Sequence, residues 1–184
     1  MTIHRDGFGI PHIEATSETD GVFGLGFCHA QDRGFQMELY RRLMRGELAA
    51  IIGKDSLQTD RFTRRIGFRQ AAEKTLPTLD SLTRAGLESY ARGINAGIDY
   101  GRTRQPHELV LLRSKMQHWN AADVVGLVMT FSMALGSGLD TELARLLVLQ
   151  ADGPEALRAI EPDYGDSSIV TTPPGTLAGE TVAK

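Results

Sequence analysis

Apolar residues recur with helical spacing in the part of the chain between residues 20 and 53. Phe35, Leu39 and Leu43 lie four residues apart, which predicts one long helix with an apolar stripe facing a core. The residues just before position 20 offer N-cap candidates, Ser17, Glu18, Thr19 and Asp20. The helix is predicted to end at Gly46, which follows arginines whose charge suits a helix C-terminus.

A second face of this predicted helix carries small residues at the same interval. Gly26, Ala30 and Gly34 are four residues apart, and a glycine inside a helix costs about 0.8–1 kcal/mol relative to alanine. Several glycines in one helix therefore predict that another backbone passes very close by, because such a contact offsets the cost.

Shorter periodic segments lie on both sides of the long helix. Residues 2–15 alternate around a Gly-containing turn, which predicts a strand, a tight turn and a second short strand. Further helices are predicted at about 69–76, 78–101, 121–135, 141–151 and 154–161. Residues 162–184 have no periodic apolar stripe and are interpreted as an extended tail or linker remnant. The prediction is a mainly α domain over residues 1–161 with a short N-terminal β element.

Composition narrows the possible partners. The chain has 184 residues, 41% of them hydrophobic and 23% charged, which is ordinary for one globular domain. The net charge of −3 argues against nucleic acid as a partner, and no apolar run reaches the roughly 18 residues of a membrane helix. Cys28 has no second cysteine to pair with and is interpreted as a buried inert thiol. The N-terminus lacks the layout of a secretory signal, which leaves a cytoplasmic protein and one with a removed leader as open alternatives.

Three short segments resemble known catalytic or cofactor-binding motifs, but none has the residue spacing that the motif requires. Gly136-Ser137-Gly138 lacks the pattern of a nucleophile elbow, Gly24-Leu25-Gly26 is half of a dinucleotide fingerprint, and Gly53-Lys54-Asp55 is not a phosphate-binding loop. The histidines show no i,i+3 or i,i+4 pair of the kind that metal sites on helices use. His29 and Asp32, one turn apart, are interpreted as a buried polar contact of structural importance.

Seven short segments follow one another in a recognisable order. They are R-D and G-I-P-H-I-E-A at 5–15, A-Q-D-R-G-F-Q-M-E at 30–38, D-R-F-T-R-R-I-G at 60–67, L-E-S-Y-A-R-G-I-N-A at 87–96, P-H-E-L at 106–109, Trp119 with Asp123, and T-E-L at 141–143. This order resembles the penicillin amidase family, and in particular its smaller α subunit. The resemblance covers about four-fifths of the chain.

The resemblance implies a fold, a partner and a reaction. The fold is that of an α subunit completing an αββα N-terminal-nucleophile hydrolase sandwich, formed mostly by a β chain from the same precursor. The implied protein is a self-processed heterodimer of the penicillin or N-acyl-homoserine-lactone acylase type, which hydrolyses a small acyl amide to a carboxylic acid and an amine. Its nucleophile is the first residue of the β chain, so no catalytic residue is expected in this chain.

The resemblance also implies two kinds of site residue. Glu142 is the expected ligand for a structural calcium ion shared with the β chain, with Asp140 as the alternative. A first-turn helix carboxylate, favoured by the helix dipole, is the competing interpretation of Glu142. The acyl-binding residues are expected at the end of the preceding helix, and they are Phe131, Met133 and Leu135.

The end of that helix also departs from the family. An Arg-Phe pair is common there, and this chain has Leu135-Gly136. The departure favours a wider and more apolar pocket for an aliphatic acyl group, while the competing interpretation makes Phe131, Met133 and Leu135 simple core residues. Two other functions stay open at this point, a non-catalytic helical adaptor that binds a partner through its glycine-lined faces and a helical regulator that uses its arginines on nucleic acid.

Overall fold

The computed structural model describes residues 1–101, 105–136 and 138–160. The chain divides into two units between residues 136 and 137, and each is described by itself. The first unit holds two strands, β1 (Thr2–Arg5) and β2 (Pro11–Glu14), and seven α-helices: α1 (Glu18–Arg45), α2 (Ala49–Ile52), α3 (Leu57–Ile66), α4 (Phe68–Thr75), α5 (Ser81–Tyr100), α6 (His107–Leu111) and α7 (Ala121–Leu135). The second unit contains α8 (Leu139–Ile160).

The N-terminal strands form an antiparallel hairpin in which Ile3 pairs with Ile13. Asp6 closes the turn, because its Oδ1 accepts hydrogen bonds from the backbone N–H of Phe8 at 2.9 Å and of Ile10 at 3.0 Å. Such Asx contacts are a common way to stabilise a short turn. The predicted strand, turn and strand are confirmed.

The predicted long helix is α1, and its ends follow from capping. Ser17 Oγ accepts the backbone N–H of Asp20 at 3.1 Å, while Gly46 takes the left-handed conformation (φ 66°, ψ 46°) that ends the helix. The helix is interrupted at Arg33, whose φ of −133° and ψ of 23° are not helical. The N-cap and the break at Gly46 were both predictable from residue type, whereas the interruption was not.

The glycine face of α1 packs on α5 with direct contact between the two backbones. A methyl group on Gly26 would overlap the carbonyl oxygen of Tyr90, and one on Gly93 would overlap the carbonyl oxygen of Phe23. A methyl group on Gly97 would lie 2.7 Å from the carbonyl oxygen of Phe27. The predicted close passage of a second backbone is confirmed at Gly26, whereas Gly34 packs against the side chains of Met116 and Pro106.

The predicted apolar stripe of α1 is wrong in its residues. Phe35, Leu39 and Leu43 are only half-buried, and the buried hydrophobic side chains of this half of α1 are Met37 and Met44. The core cluster around Met37 comprises Ala30, Ala91, Ile94, Trp119 and Val124. Because α5 packs on the face of α1 that carries the glycines and methionines, that face is buried. The larger apolar residues Phe35, Leu39 and Leu43 lie at the edge of the core.

The remaining helices agree in part with the prediction. The segments predicted near 69–76, 78–101 and 121–135 are α4, α5 and α7, and the two predicted at 141–151 and 154–161 form α8 with a break at Gly153 (φ 82°). Helices α2, α3 and α6 were not predicted. In α3 the fold uses a buried Asp60, whose carboxylate accepts the backbone N–H groups of Leu48 and Ala49 at 2.8 and 2.9 Å.

The fold class is therefore mainly α with a short N-terminal β element, as predicted. The predicted tail at 162–184 lies outside the described residues, so the boundary at residue 161 stays a prediction. Within the described ranges, no single helix combines the length and apolar character needed to cross a membrane, and α7 and α8 meet both requirements only when counted together as one broken segment.

Gly93→Ala is expected to destabilise the protein by about 1–3 kcal/mol, because its new methyl group meets the rigid backbone of α1. Gly21→Ala is the matched control on α1, since the nearest atom to its new methyl group, Ala15 Cβ, lies 3.8 Å away. That control is expected to be neutral or stabilising by up to about 1 kcal/mol. Urea unfolding followed by circular dichroism measures both changes, and equal midpoints for the two variants would contradict the close contact.

Candidate functional site

Helix α7 carries the predicted acyl-binding residues, and its first turn is closed by a capping box. The side chain of Asn120 accepts the backbone N–H of Asp123 at 2.9 Å, and Asp123 accepts the backbone N–H of Asn120 at 3.1 Å. Reciprocal bonds of this kind satisfy two of the free N–H groups at a helix start. The start of α7 is thus defined by local sequence.

Asp123 also joins α7 to the last turns of α1. Its Oδ1 lies 2.6 Å from a terminal nitrogen of Arg45 and its Oδ2 lies 3.8 Å from Nε of Arg41. The Asp123 side chain is 2% exposed, so this carboxylate depends on the two arginines for compensation of its charge. The arginines that the sequence suggested as helix-dipole partners therefore have a second, tertiary role.

A second buried ion pair lies one turn earlier on α1. Glu38 Oε1 accepts a hydrogen bond from Nε–H of Arg42 at 2.7 Å, and Oε2 accepts one from the backbone N–H of Gln117 at 3.1 Å. Burial raises the pKa of the Glu38 carboxyl, and the Gln117 amide and the Arg42 charge partly oppose this effect. The pair fixes the loop that leads into α7, because Gln117 lies three residues before its cap.

An apolar groove of about 450 Å³ lies between α1, α5 and α7. Its lining residues carry no charge, and they are Val22, Thr83, Gly86, Leu87, Tyr90, Val124, Leu127, Val128 and Phe131. The members from α7 follow helical spacing, so one face of that helix forms one wall. A groove of this size falls in the range of small-molecule and side-chain pockets.

The structure separates the three predicted acyl-binding residues. Phe131 lines the groove and makes an edge-to-face contact with Tyr40, with ring centroids 4.8 Å apart. Met133 and Leu135 are exposed on the last turns of α7 and are not among the lining residues. Leu135 is 87% exposed, so it is not a core residue of the first unit.

The predicted contact between His29 and Asp32 is wrong. His29 Nδ1 lies 2.6 Å from the hydroxyl of Tyr90, whereas Asp32 holds the guanidinium of Arg5 at 2.7 Å. The partners of the two side chains come instead from α5 and β1. Burial also raises the pKa of the Tyr90 hydroxyl. Cys28 is buried, as predicted.

The predicted calcium ligand lies in the second unit, on the first turn of α8. The Glu142 carboxylate is exposed and lies 3.4 Å from a guanidinium nitrogen of Arg145, and Asp140 is also exposed. Among residues 1–101, 105–136 and 138–160, no group of three or more His, Cys, Asp or Glu side chains is arranged to hold a metal ion. Calcium takes six to eight oxygen ligands, so most of them would have to come from outside the described residues.

Comparison with protein families finds one match over nearly the whole chain. The family model described as penicillin amidase matches residues 1–183. The chain is 33% identical over 178 residues to a penicillin acylase 2 proenzyme of Pseudomonas sp. (strain SE83), covering 97% of this chain and 23% of that protein. It is 32% identical over 169 residues to an acyl-homoserine lactone acylase, QuiP, of Pseudomonas aeruginosa, covering 92% of this chain and 20% of that protein.

One solved structure matches this chain over almost its own full length. The chain is similar to a chain of a thermostable penicillin G acylase from Alcaligenes faecalis, with a TM-score of 0.73 and 28% identity, covering 94% of this chain and 97% of the solved one. The chain thus spans about a fifth of the length of the curated relatives described above, but almost all of this solved chain.

Asp123→Ala is expected to destabilise the protein by about 3–5 kcal/mol, because it leaves Arg41 and Arg45 with an uncompensated buried charge. Glu73→Ala is the matched control, since it breaks a pair with Arg69 in which both side chains are about half exposed. Exposed pairs contribute roughly 0–1 kcal/mol. Urea denaturation of both variants provides the comparison, and a similar small loss in each would show that Asp123 does not anchor α7.

Proposed function

Because the chain belongs to the penicillin amidase family, we propose that it is the smaller subunit of an amidohydrolase that cleaves an acyl amide into a carboxylic acid and an amine. One observation carries the proposal. The chain covers 97% of a chain in a solved penicillin G acylase but only 23% of a related proenzyme. A polypeptide of this size is therefore a separate chain in one acylase and a minor part of the precursor of another. A larger companion chain from the same precursor completes the enzyme.

In this proposal the reacting groups belong to the companion chain. Its first residue supplies a hydroxyl or thiol, and the free α-amino group of that residue accepts the proton, since an amine with an ordinary pKa of about 7.7–8.0 is a competent base near neutral pH. Attack on the amide carbonyl releases the amine and forms an acyl-enzyme, which water then hydrolyses to the acid. The chain described here provides no group that reacts.

The contribution of this chain is a fixed wall for the acyl group. Asp123 holds the start of α7 against α1. The far end of the same helix places Phe131 in the groove and leaves Met133 and Leu135 exposed to a companion chain or an acyl group. A helix anchored at one end places the side chains at its other end reproducibly. With Leu135 and Gly136 where the family often has Arg-Phe, the wall favours an aliphatic acyl group, and each buried methylene contributes about 0.8 kcal/mol to binding.

The proposal is tested by expressing the complete gene and analysing the purified protein under denaturing conditions. We expect two chains, the larger beginning with serine, threonine or cysteine, as read by intact mass and N-terminal sequencing. The two-chain protein is then assayed on a series of amides with acyl groups of increasing length. Faster turnover of octanoyl than of phenylacetyl amides is expected from the apolar wall.

Two outcomes count against parts of this proposal. A single folded and monomeric chain of this size with no hydrolytic activity supports the helical adaptor instead. Equal or better turnover of phenylacetyl amides leaves the amidohydrolase in place but contradicts the aliphatic acyl group.

The proposed enzyme also binds one structural calcium ion, with Glu142 as the ligand from this chain and Asp140 as the alternative. The support is the exposed carboxylate on the first turn of α8, which would exchange its contact with Arg145 for a place in a ligand set supplied mostly by the companion chain. When bound, the ion would hold the two chains together through shared oxygen ligands.

Glu142→Gln in the two-chain enzyme is expected to lower the calcium content, measured by elemental analysis, by more than half, and to lower the thermal unfolding midpoint. Glu155→Gln on the same helix is the control, and it should change neither quantity. Asp140→Asn tests the alternative ligand. Unchanged calcium content in the Glu142 variant would exclude this residue as a ligand.

A further inference from the structure

Helix α3 exposes a face on which arginines and apolar residues stand side by side. Residues four apart on a helix share one row of its surface. The exposed residues form two neighbouring rows, with Leu57, Arg61 and Arg65 in one and Phe62 and Ile66 in the other. The opposite side of the helix carries the buried Asp60 and Thr63. We call the five exposed residues the basic-apolar face of α3.

The charge of the basic-apolar face is not balanced by neighbouring acids. Among the described residues, neither Arg61 nor Arg65 has an ion-pair partner. Arg64 beside them donates its Nε–H to the backbone carbonyl of Gly46 at 2.8 Å, a group without net charge. The one acidic residue of α3 is the buried Asp60, whose carboxylate accepts backbone N–H groups. Three arginines against one aspartate leave the helix with a net charge of +2.

The apolar side chains on this face are half exposed. Leu57 is 44% exposed, Phe62 48% and Ile66 40%. Single exposed apolar residues are normal on a protein surface. Three of them on one short helix, in rows with arginines, are instead typical of a helix that lies on a membrane surface. None of the three lines the apolar groove between α1, α5 and α7, so this face is separate from the acyl wall.

The two kinds of side chain restrict what the partner is. An anionic lipid bilayer offers phosphates to guanidinium groups and, about 5–10 Å deeper, hydrocarbon to apolar side chains. The core of a permanent protein interface is depleted of charged residues, and a nucleic acid has no apolar layer that Leu57 and Ile66 could enter. The combination of charge and apolar surface therefore favours a bilayer.

We propose that the basic-apolar face of α3 binds the surface of an anionic lipid bilayer. The arginines contact lipid phosphates, while Phe62 and Ile66 enter the boundary between headgroups and acyl chains. The contact is reversible, because one helix of ten residues has too little apolar area to anchor a protein permanently. It goes beyond the proposed hydrolysis and uses none of the residues assigned to the acyl wall or to calcium.

The test measures cosedimentation of the complete gene product with lipid vesicles. Vesicles of phosphatidylcholine and phosphatidylglycerol in equal amounts are expected to bind at least about tenfold more protein than phosphatidylcholine alone, and high salt should abolish the difference by screening. Arg65→Gln is expected to weaken binding to the anionic vesicles about fivefold, the contribution of one cation near such a surface. Arg92→Gln, at an exposed position of α5, is the matched control and should leave binding unchanged.

A second pair of variants tests the apolar row. Phe62→Ser is expected to weaken binding to the same vesicles at least about fivefold, because it removes the largest apolar side chain of the face. Phenylalanine and serine have similar helix propensities, so the urea unfolding midpoint should stay unchanged. Leu82→Ser, at a position that is 69% exposed on α5, is the control and should bind vesicles normally. Equal vesicle binding by all three proteins, these two variants and the unaltered one, overturns the role of Phe62.

Two other results overturn the proposal as a whole. One is equal binding, or no binding, to neutral and anionic vesicles. The other is slow maleimide labelling of Phe62→Cys in the folded, vesicle-free protein relative to the unfolded one, read by mass spectrometry of the peptide that contains residue 62. Such protection would show that the companion chain covers this face.

The outcomes also separate this proposal from the proposed function. A two-chain enzyme that hydrolyses amides but does not bind anionic vesicles removes the membrane contact alone. A single chain without hydrolytic activity removes the proposed function, and the same vesicle measurement on that chain then decides the membrane contact.

Discussion

Direct backbone contact between α1 and α5 is the constraint on which the first unit depends. Gly26 and Gly93 let the two helices approach until carbonyl oxygens of one face α-carbons of the other, and Gly97 extends the contact. At that distance long side chains do not fit between the two glycine faces, and the larger core residues Met37 and Trp119 join Ala30 and Ile94 in the core cluster. The loss of helix propensity at each glycine is offset by close packing over the shared length.

The second organising feature is electrostatic. Beyond the glycine face, α1 buries Glu38 and presents Arg41 and Arg45 to Asp123. Removing charges from water is expensive, so buried pairs contribute little net stability when complete, although losing one partner is costly. Their effect in this fold is geometric, because Asp123 at the start of α7 has one arrangement that satisfies both the arginines and the cap of Asn120.

Beside these two features, the described residues leave an apolar groove and exposed carboxylates accessible. The groove beside Gly86 is open and apolar, and the first turn of α8 presents the exposed carboxylates of Asp140 and Glu142. In the proposed two-chain enzyme, oxygen atoms of the companion chain would complete the calcium ligand set at Glu142.

The sequence by itself determined the longer elements and one important contact. The hairpin, the ends of α1 and the close approach at Gly26 follow from turn residues, capping residues and glycine spacing, which act over a few positions along the chain. The family followed from the order of short motifs.

Only the tertiary structure decided which side chains are buried and which partners they take. Met37 lies in the core and Leu39 at its margin because α5 approaches from the glycine side. Arg45 meets Asp123 across 78 positions of sequence, and His29 meets Tyr90 across 61. Periodicity and propensity are local quantities, and partners so distant along the chain are selected by packing.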